Sequence, residues 1–290
     1  MNAAVLLVDK PAGPTSFGCV ARVRGALGGR KVKVGHAGTL DPFATGLLAL
    51  LVGRATKLAP YLVGLDKRYR VTVQLGVRSD TGDPEGTLVP DDAPLPDAAA
   101  LADACAEFVG EIAQVPPATS AIKVGGKRAY ALARAGVEVE MPSRQVHIHA
   151  LDVVDYDAAL GRAVLDVHCS KGTYVRSLAR DLGEALACGA YCAELRREAI
   201  GHLAIGRAGT LDDVAADPLG GAWRMSCSDA LAHLPARELE PQERDALVHG
   251  RAIAAHGEQG PVRCLAAGLL ACVAGPQGAE LRSLVVVDEA

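Results

Sequence analysis

The stretch GHAGTLDPFATGLL, residues 35–48, says most about how this chain folds and where its chemistry lies. Three glycines, a His, a Thr and an Asp share a segment that leads into continuously apolar chain. Because glycine permits tight turns and close approach of a ligand to the backbone, the segment predicts a loop that ends near Pro42. The apolar run 46–52 is short enough to be either a buried strand or a buried turn of helix.

Asp41 is the carboxylate of this loop, and two interpretations of it are open. Pro42 biases Asp41 toward an extended conformation, and apolar neighbours such as Leu40 and Phe43 would partly desolvate it. A desolvated carboxylate stays ionised only beside a cation or hydrogen-bond donors, which predicts a functional acid. An Asp in a Gly/Pro turn more often accepts backbone N–H groups, and in isolation the segment favours that structural role.

Outward from this loop, strand and helix patterns mix without a regular βαβ period. Thr15 or Ser16 can cap a helix, and a second helix is predicted from Thr173 to about Ala187. Strands are predicted where apolar residues run together or alternate, at 5–8, 69–75, 120–124, 146–155 and 163–169. A short helix is also predicted at 127–135. This mixture predicts an α+β fold with a mixed, mostly antiparallel sheet flanked by helices.

The chain restarts near Leu231, after an irregular stretch. A short helix is predicted at 242–250, and two strands at 264–273 and 281–287. We therefore predict two domains, a large one over 1–228 and a small β-rich one over 229–290. A chain of 290 residues is long enough for one large and one small domain.

Charge is divided unevenly along the chain. Residues 1–78 hold 12 Lys and Arg against three acidic residues, a net charge of +9, whereas the remainder carries −13. Such asymmetry is typical of a surface that binds a polyanion, although chance clustering is the alternative. The eight cysteines form no CxxC pair and predict reduced thiols of a cytoplasmic protein. No apolar stretch has the length of a membrane span, and the sequence lacks GxxxxGK[ST], GxGxxG and GxSxG motifs.

Two further segments carry side chains suited to RNA chemistry. In Lys67-Arg68-Tyr69-Arg70, basic residues surround a strand Tyr that could stack on a base, although an ordinary strand Tyr with solvated neighbours is the alternative. In the segment 169–176, Gly172 turns the chain, and Arg176 falls in the first turn of a helix. That place is unfavourable for a cation, so its guanidinium could answer a carboxylate elsewhere, or it could be a surface Arg. The strand residues His147, His149 and His168 show no metal-ligand spacing with a nearby acid, so no metal site is predicted.

In this order, the segments resemble the TruB family of tRNA pseudouridine-55 synthases over roughly residues 5–200. The resemblance rests on LLVDKPAGPTS, GHAGTLDPFATGLL, GRATKL, DKRYRV, VPPATSAIKVGGKRAY, HCSKGTYVRSLARDLG and CGAYCAELRR. It implies a pseudouridine-synthase domain with a small PUA-like C-terminal domain. It also implies isomerisation of one uridine in the T-loop of tRNA, with the T-arm of tRNA as partner, no cofactor, and a monomer in the cytoplasm.

The resemblance also implies roles for individual residues. Asp41 corresponds to the catalytic Asp, as nucleophile or as base, and Arg176 to the Arg paired with it. The implied substrate-binding residues are His36, which helps to hold the opened T-loop, the stacking Tyr69, the pocket residues Tyr174 and Leu195, and Lys57 nearby.

The chain departs from the family pattern at three positions. Thr119 stands where a Tyr is usual, which puts one packing or RNA contact in doubt. Phe43 replaces a more usual Leu, and Glu198 replaces an apolar residue or Thr. Two other functions remain open, an RNA-binding factor that needs no catalysis and an unrelated carboxylate-dependent hydrolase. A hydrolase is disfavoured because glycoside hydrolysis normally uses a pair of carboxylates.

Overall fold

The computed structural model describes residues 3–120 and 141–289, with the backbone of two short strands at 123–124 and 127–128. Contacts divide the chain into two compact units. The first unit combines Met1–Leu65 with Ala199–Ala290, and the second is Asp66–Glu198. The boundary predicted near residue 228 stays a prediction. Among the described helices, none is both long and apolar enough to cross a bilayer.

The first unit is built on two buried strands. β1 (Ala3–Lys10) and β3 (Thr45–Gly53) are antiparallel, with Val5 opposite Leu51. The run 46–52 is therefore a strand, and its unbroken apolar sequence follows from burial of both faces. The smaller strands of this unit's sheet are β2 (Val34–His36) on β3, and β14 (Gly209–Thr210, parallel) and β15 (Arg224–Met225, antiparallel) on β1.

A helix covers one face of this strand pair, as predicted. In α1 (Ser16–Ala26), Thr15 is the N-cap, and its Oγ1 accepts a hydrogen bond from the Gly18 N–H at 2.9 Å. Val20 and Val23 pack with Leu6 and Leu48 of the sheet. The other helices of this unit are α2 (Ala59–Val63), α5 (Leu211–Ala216), α6 (Cys227–Ala230) and α7 (Pro241–Val248).

The C-terminal part of the first unit is a five-stranded sheet with its own buried cluster, so the predicted β-rich region is confirmed. The single strand predicted at 264–273 is wrong. Ala267 and Gly268 both have positive φ, +50° and +76°, and they turn the chain between two strands. An Ala-Gly turn inside an apolar run gives little warning in the sequence. In sheet order the strands are β16 (Ala236–Glu238), β18 (Val262–Ala266), β19 (Leu269–Gln277), β20 (Glu280–Val286) and β17 (Ile253–Ala254).

The second unit is a mainly antiparallel sheet with helices. Pairing of the strands predicted at 146–155 and 163–169 is confirmed. The sheet order is β12 (Ala190–Ile200), β4 (Lys67–Leu75), β11 (Arg162–Cys169), β10 (Arg144–Asp157) and β7 (Gly110–Gln114). The last residues of β12 already belong to the first unit, where they pair with β13 (Leu203–Ala204). The helices are α3 (Ala98–Glu107) and α4 (Val175–Ala185). The α+β prediction is thus confirmed.

Two further antiparallel pairs of short strands complete the described strands. The first joins β5 (Val77–Ser79) and β6 (Leu88–Pro90). The second joins β8 (Lys123–Val124) and β9 (Lys127–Arg128). The predicted strand at 120–124 overlaps β8. The helix predicted at 127–135 begins where β9 stands, and the rest of it lies outside the described residues.

Candidate active site

The loop that carries Asp41 is held by buried polar side chains of the first unit. Ser16 is buried, and its hydroxyl accepts a hydrogen bond from the Leu40 N–H at 2.8 Å and donates one to the Leu40 carbonyl at 2.9 Å. The buried Lys10 ammonium donates to the Pro42 carbonyl at 3.1 Å. The residues on both sides of Asp41 are therefore fixed to the body of the unit.

The loop predicted from Gly35 to Pro42 is confirmed from residue 37 onward, whereas Gly35 and His36 belong to β2. Gly38 has φ of +103° and Gly46 has φ of +102°, a region that disfavours other residues. Asp41 is half-buried, and its carbonyl accepts from the Ala44 N–H at 3.2 Å. The loop thus presents a half-buried Asp on a rigid frame, as the predicted role of base or nucleophile requires.

Replacement of Ser16 with Ala tests this frame. We expect the free energy of unfolding to fall by about 1–3 kcal/mol, because two buried backbone groups of Leu40 lose their partner. We also expect kcat to fall more than KM rises, because Asp41 is the next residue. Urea denaturation and steady-state kinetics measure both effects.

Thr15→Ala is the matched control for that experiment. Loss of the N-cap destabilises the same helix by about 1 kcal/mol and leaves the Leu40 contacts in place. An equal fall of kcat in both variants would show that lost stability, and not loop position, explains the effect.

In the second unit, two of the predicted substrate-binding residues lie on adjacent strands. Along β4, Lys67, Tyr69 and Val71 share one face, the face opposite to Arg70. Leu195 is buried on β12, on the face opposite to Glu194, whose carboxylate accepts from the Thr72 hydroxyl on the outer face of β4. Tyr69 and Leu195 are therefore brought to the same face of the sheet.

The basic groups beside these residues are unusually buried. Lys67 is 7% exposed and Arg197 is 1% exposed. Burial, and then repulsion from Arg197, lowers the pKa of Lys67 to about 8. A positive charge kept in such a poorly solvated place needs hydrogen-bond acceptors or an opposite charge nearby.

Tyr174 and Arg176, which were also predicted to belong to the site, lie at the start of α4. Tyr174 is the N-cap, and its N–H donates to the Gln114 side-chain oxygen at 2.8 Å, while Arg144 lies over its ring at 5.5 Å. The expected start of the helix at Thr173 is wrong by two residues. The Thr173 hydroxyl donates to the Ser170 carbonyl at 3.0 Å and so closes the turn before the helix.

Arg176 is buried at the start of α4 and is held by the hairpin region of the second unit. Its guanidinium lies 2.8 Å from the buried Asp83 carboxylate and donates to the Thr81 carbonyl at 3.0 Å. The alternative of a surface Arg is therefore wrong. No sequence signal indicated Asp83 as a partner, because it lies in an acidic stretch rich in turn residues, 81–92. The predicted pair of Arg176 with Asp41 stays a prediction.

Thr119, the position where the family usually has Tyr, is a further partner of Arg176. Its Oγ1 accepts from the guanidinium at 2.9 Å and its carbonyl accepts at 3.2 Å. The departure from the family pattern thus supplies a hydroxyl directly to Arg176, the predicted partner of Asp41.

We expect Thr119→Val to weaken the hold on Arg176. A hydrogen bond to a charged group is worth about 1.5–3 kcal/mol, so the free energy of unfolding should fall by that amount. Thr119→Ser keeps the hydroxyl and should stay within about 0.5 kcal/mol of the wild type. Equal unfolding curves for the wild type and Thr119→Val would contradict the bond.

An open cavity of ≈ 270 Å³ adjoins Arg176 within the second unit. Arg176 and Arg180 lie on one side of it, and Pro116, Pro117 and Met141 contribute apolar surface. The cavity therefore combines apolar groups with charged groups of both signs, because Asp80 also lines it.

His36 and Lys57 belong to the first unit. His36 ends β2, opposite Leu50 of β3, directly before the Asp41 loop. Lys57 is exposed, and its ammonium lies 3.4 Å from the Val286 carbonyl of the C-terminal sheet. The roles predicted for both residues in RNA binding stay predictions.

Several solved structures of known proteins share this fold. Two solved structures, one of an H/ACA RNP bound to a substrate RNA containing 2′-deoxyuridine and one of a Cbf5-Nop10-Gar1 complex, share the fold with TM-scores of 0.74 and 0.75. Their identities to this chain are 22% and 24%, over 98% of this chain and 84% of each of theirs.

Comparison of sequences finds relatives with higher identity than those two structures. The family described as TruB family pseudouridylate synthase (N terminal domain) matches residues 24–175, and the tRNA pseudouridylate synthase B C-terminal domain matches residues 176–219. Proteins named tRNA pseudouridine synthase B are 45% identical in Thiobacillus denitrificans, over 86% of this chain and 83% of that protein, and 43% identical in an Azoarcus species, over 96% and 92%. The chain belongs to the TruB family of pseudouridine synthases.

Proposed function

We propose that this protein is a tRNA pseudouridine synthase, an isomerase that converts uridine into pseudouridine in tRNA. The observation that carries the proposal is its identity of 43–45% to proteins named tRNA pseudouridine synthase B over most of their length and of its own. The names of these relatives identify tRNA as their substrate. Because tRNA is the proposed substrate, we also propose that the protein acts in the cytoplasm. The net charge of +9 over residues 1–78 supports a polyanionic substrate.

The reaction needs a carboxylate and a pocket with little water. The N1–C1′ bond breaks, the base rotates, and C5 joins C1′ while C5 loses a proton and N1 gains one. A carboxylate can assist as a nucleophile or as a base toward the sugar, and Asp41 is the residue we assign to that step. Water must be kept away so that the cleaved base is not lost to hydrolysis.

Tyr69 and Leu195 are assigned to the target base because they share one face of the sheet in the second unit. A base that lies inside a folded loop must be flipped out of its stack and given a new one. Tyr69 supplies the new stack, and the buried Leu195 on the next strand excludes water beside it. Arg176 supplies the positive charge that keeps Asp41 ionised.

The target that we propose is uridine 55 in the T-loop, with the T-arm as the recognised element. The test uses RNA labelled with tritium at C5 of uridine, because bond formation at C5 releases that label. A T-arm stem-loop should release one label per RNA, and the same stem-loop with cytidine at position 55 should release none. No release from the T-arm, or equal release from both RNAs, would contradict this target.

A further inference from the structure

Three side chains that the proposed reaction does not use meet on the outer face of the second unit's sheet. They are Asp66, His149 and His168, whose ligand-type oxygen and nitrogen atoms all lie within 4.8 Å of one another. His149 Nε2 and Asp66 Oδ2 are 3.2 Å apart. The rings of His149 and His168 have centroids 4.6 Å apart.

The sheet assembles this cluster from three strands. Asp66 directly precedes β4, and β4, β11 and β10 are neighbours in the sheet. The pairing of β10 with β11 shifts register between Ile148 and Ala150, so His149 is the extra residue of a bulge opposite His168. A bulge re-aims a side chain, and here it turns His149 toward Asp66.

Sequence spacing could not reveal the cluster. His147 and His149 are two residues apart on one strand, whereas His168 comes from another strand and Asp66 is the residue before β4. The lack of a metal-ligand spacing in the sequence therefore did not indicate that Asp66 lies beside His149 in the folded chain.

We propose that Asp66, His149 and His168 form a binding site for one divalent transition-metal ion, with Zn²⁺ as the representative ion. Two imidazoles and one carboxylate are a ligand set that suits Zn²⁺ rather than Mg²⁺ or Ca²⁺. At metal–ligand distances of about 2.0–2.1 Å, tetrahedral ligands lie roughly 3.3 Å apart, close to the His149–Asp66 separation. Rotation of the half-buried His168 side chain would bring its ring nitrogen to the same distance from the ion.

The surroundings leave the site open and moderate its affinity. His149 and Asp66 have side-chain exposures of 33% and 46%, so an ion and its waters can enter from solvent. Arg68 lies opposite His168 on β4 and adds a positive charge that weakens the hold on a cation. An ion there would tie three strands together and should raise the melting temperature of the protein, because it binds only the folded form.

The experiment titrates Zn²⁺ into untagged, chelator-treated protein against a coloured zinc chelator. We expect one saturable site, and we expect His149→Ala, His168→Ala and Asp66→Asn each to raise its Kd more than about tenfold. Substitution of Co²⁺ for Zn²⁺ should give visible absorption bands in the wild type that all three variants lose. Melting temperatures of the metal-free variants show whether the fold is kept.

His249→Ala is the matched control. Its imidazole lies 3.1 Å from the Asp245 carboxylate, close to the 3.2 Å between His149 and Asp66, and among the described residues this pair is not joined by a second imidazole in a metal-ligating group. We expect the control to bind Zn²⁺ as the wild type does. Absence of a saturable site in the wild type, or unchanged Kd and Co²⁺ bands when His149 and His168 are both replaced, would overturn the proposal.

Discussion

Replacement of Asp41 with Asn should abolish pseudouridine formation, with kcat lowered by about 10⁴-fold or more, the upper range for a positioned acid–base group. Asn has nearly the same shape but can act neither as a nucleophile nor as a base. The loop that holds Asp41 is anchored through Ser16 and Lys10 and not through the Asp41 carboxylate alone. The variant should therefore fold, and tritium release measures the loss.

Measurement of tRNA binding distinguishes a catalytic role of Asp41 from a role in RNA recognition. We expect the Kd of Asp41→Asn for tRNA to stay within about threefold of the wild type, which is a change of less than about 1 kcal/mol in binding free energy. Asp103→Asn, the same chemical change on the exposed side of α3, is the control and should leave both activity and binding unchanged. Retention of activity by Asp41→Asn would end the assignment of Asp41.

The second large effect is expected at Arg176. Arg176→Ala removes the guanidinium from a pair in which the side chains of both partners are less than a tenth exposed. An uncompensated buried carboxylate at Asp83 costs about 3–5 kcal/mol, so the melting temperature should fall markedly. We also expect kcat to fall more than tRNA affinity, because Arg176 is assigned to the charge of Asp41 and not to the RNA backbone.

A double variant separates the two effects. Arg176→Met with Asp83→Asn removes both charges, and Asn can still accept the bonds that Asp83 Oδ1 accepts from the Thr81 hydroxyl and the Glu85 N–H. Replacement of a buried ion pair by uncharged groups of similar size is often close to neutral. We expect stability to recover and activity to stay lost. Recovery of activity together with stability would reduce Arg176 to a structural residue.

Much of the fold could be predicted because local signals agreed with tertiary structure. Thr15 caps α1 as its type predicts, and the alternation in 69–75 marks β4. The run 46–52 could be read as a strand or a helix turn, because burial of both faces removes the alternation of apolar and polar residues. Its pairing with β1 shows that it is a strand. The turn at Ala267-Gly268 was missed because Ala rarely takes positive φ.

The site was predictable where a motif carries it and not where partners come from distant strands. Asp41 and Tyr69 stand out by their neighbours in the sequence, and family resemblance supplies their roles. Asp83 and Thr119 around Arg176 could not be inferred, because they lie in two loops far from Arg176 in the sequence. The same is true of Asp66 beside His149.

The central claim is that this protein makes pseudouridine in tRNA through Asp41. It is tested most directly by incubation of unmodified tRNA transcript with purified wild-type protein and with Asp41→Asn, followed by carbodiimide modification and mapping of the reverse-transcriptase stops. The account predicts one new stop that reports uridine 55 in the T-loop with the wild type and none with Asp41→Asn. No stop with the wild-type protein, or the same stop with both proteins, would contradict it.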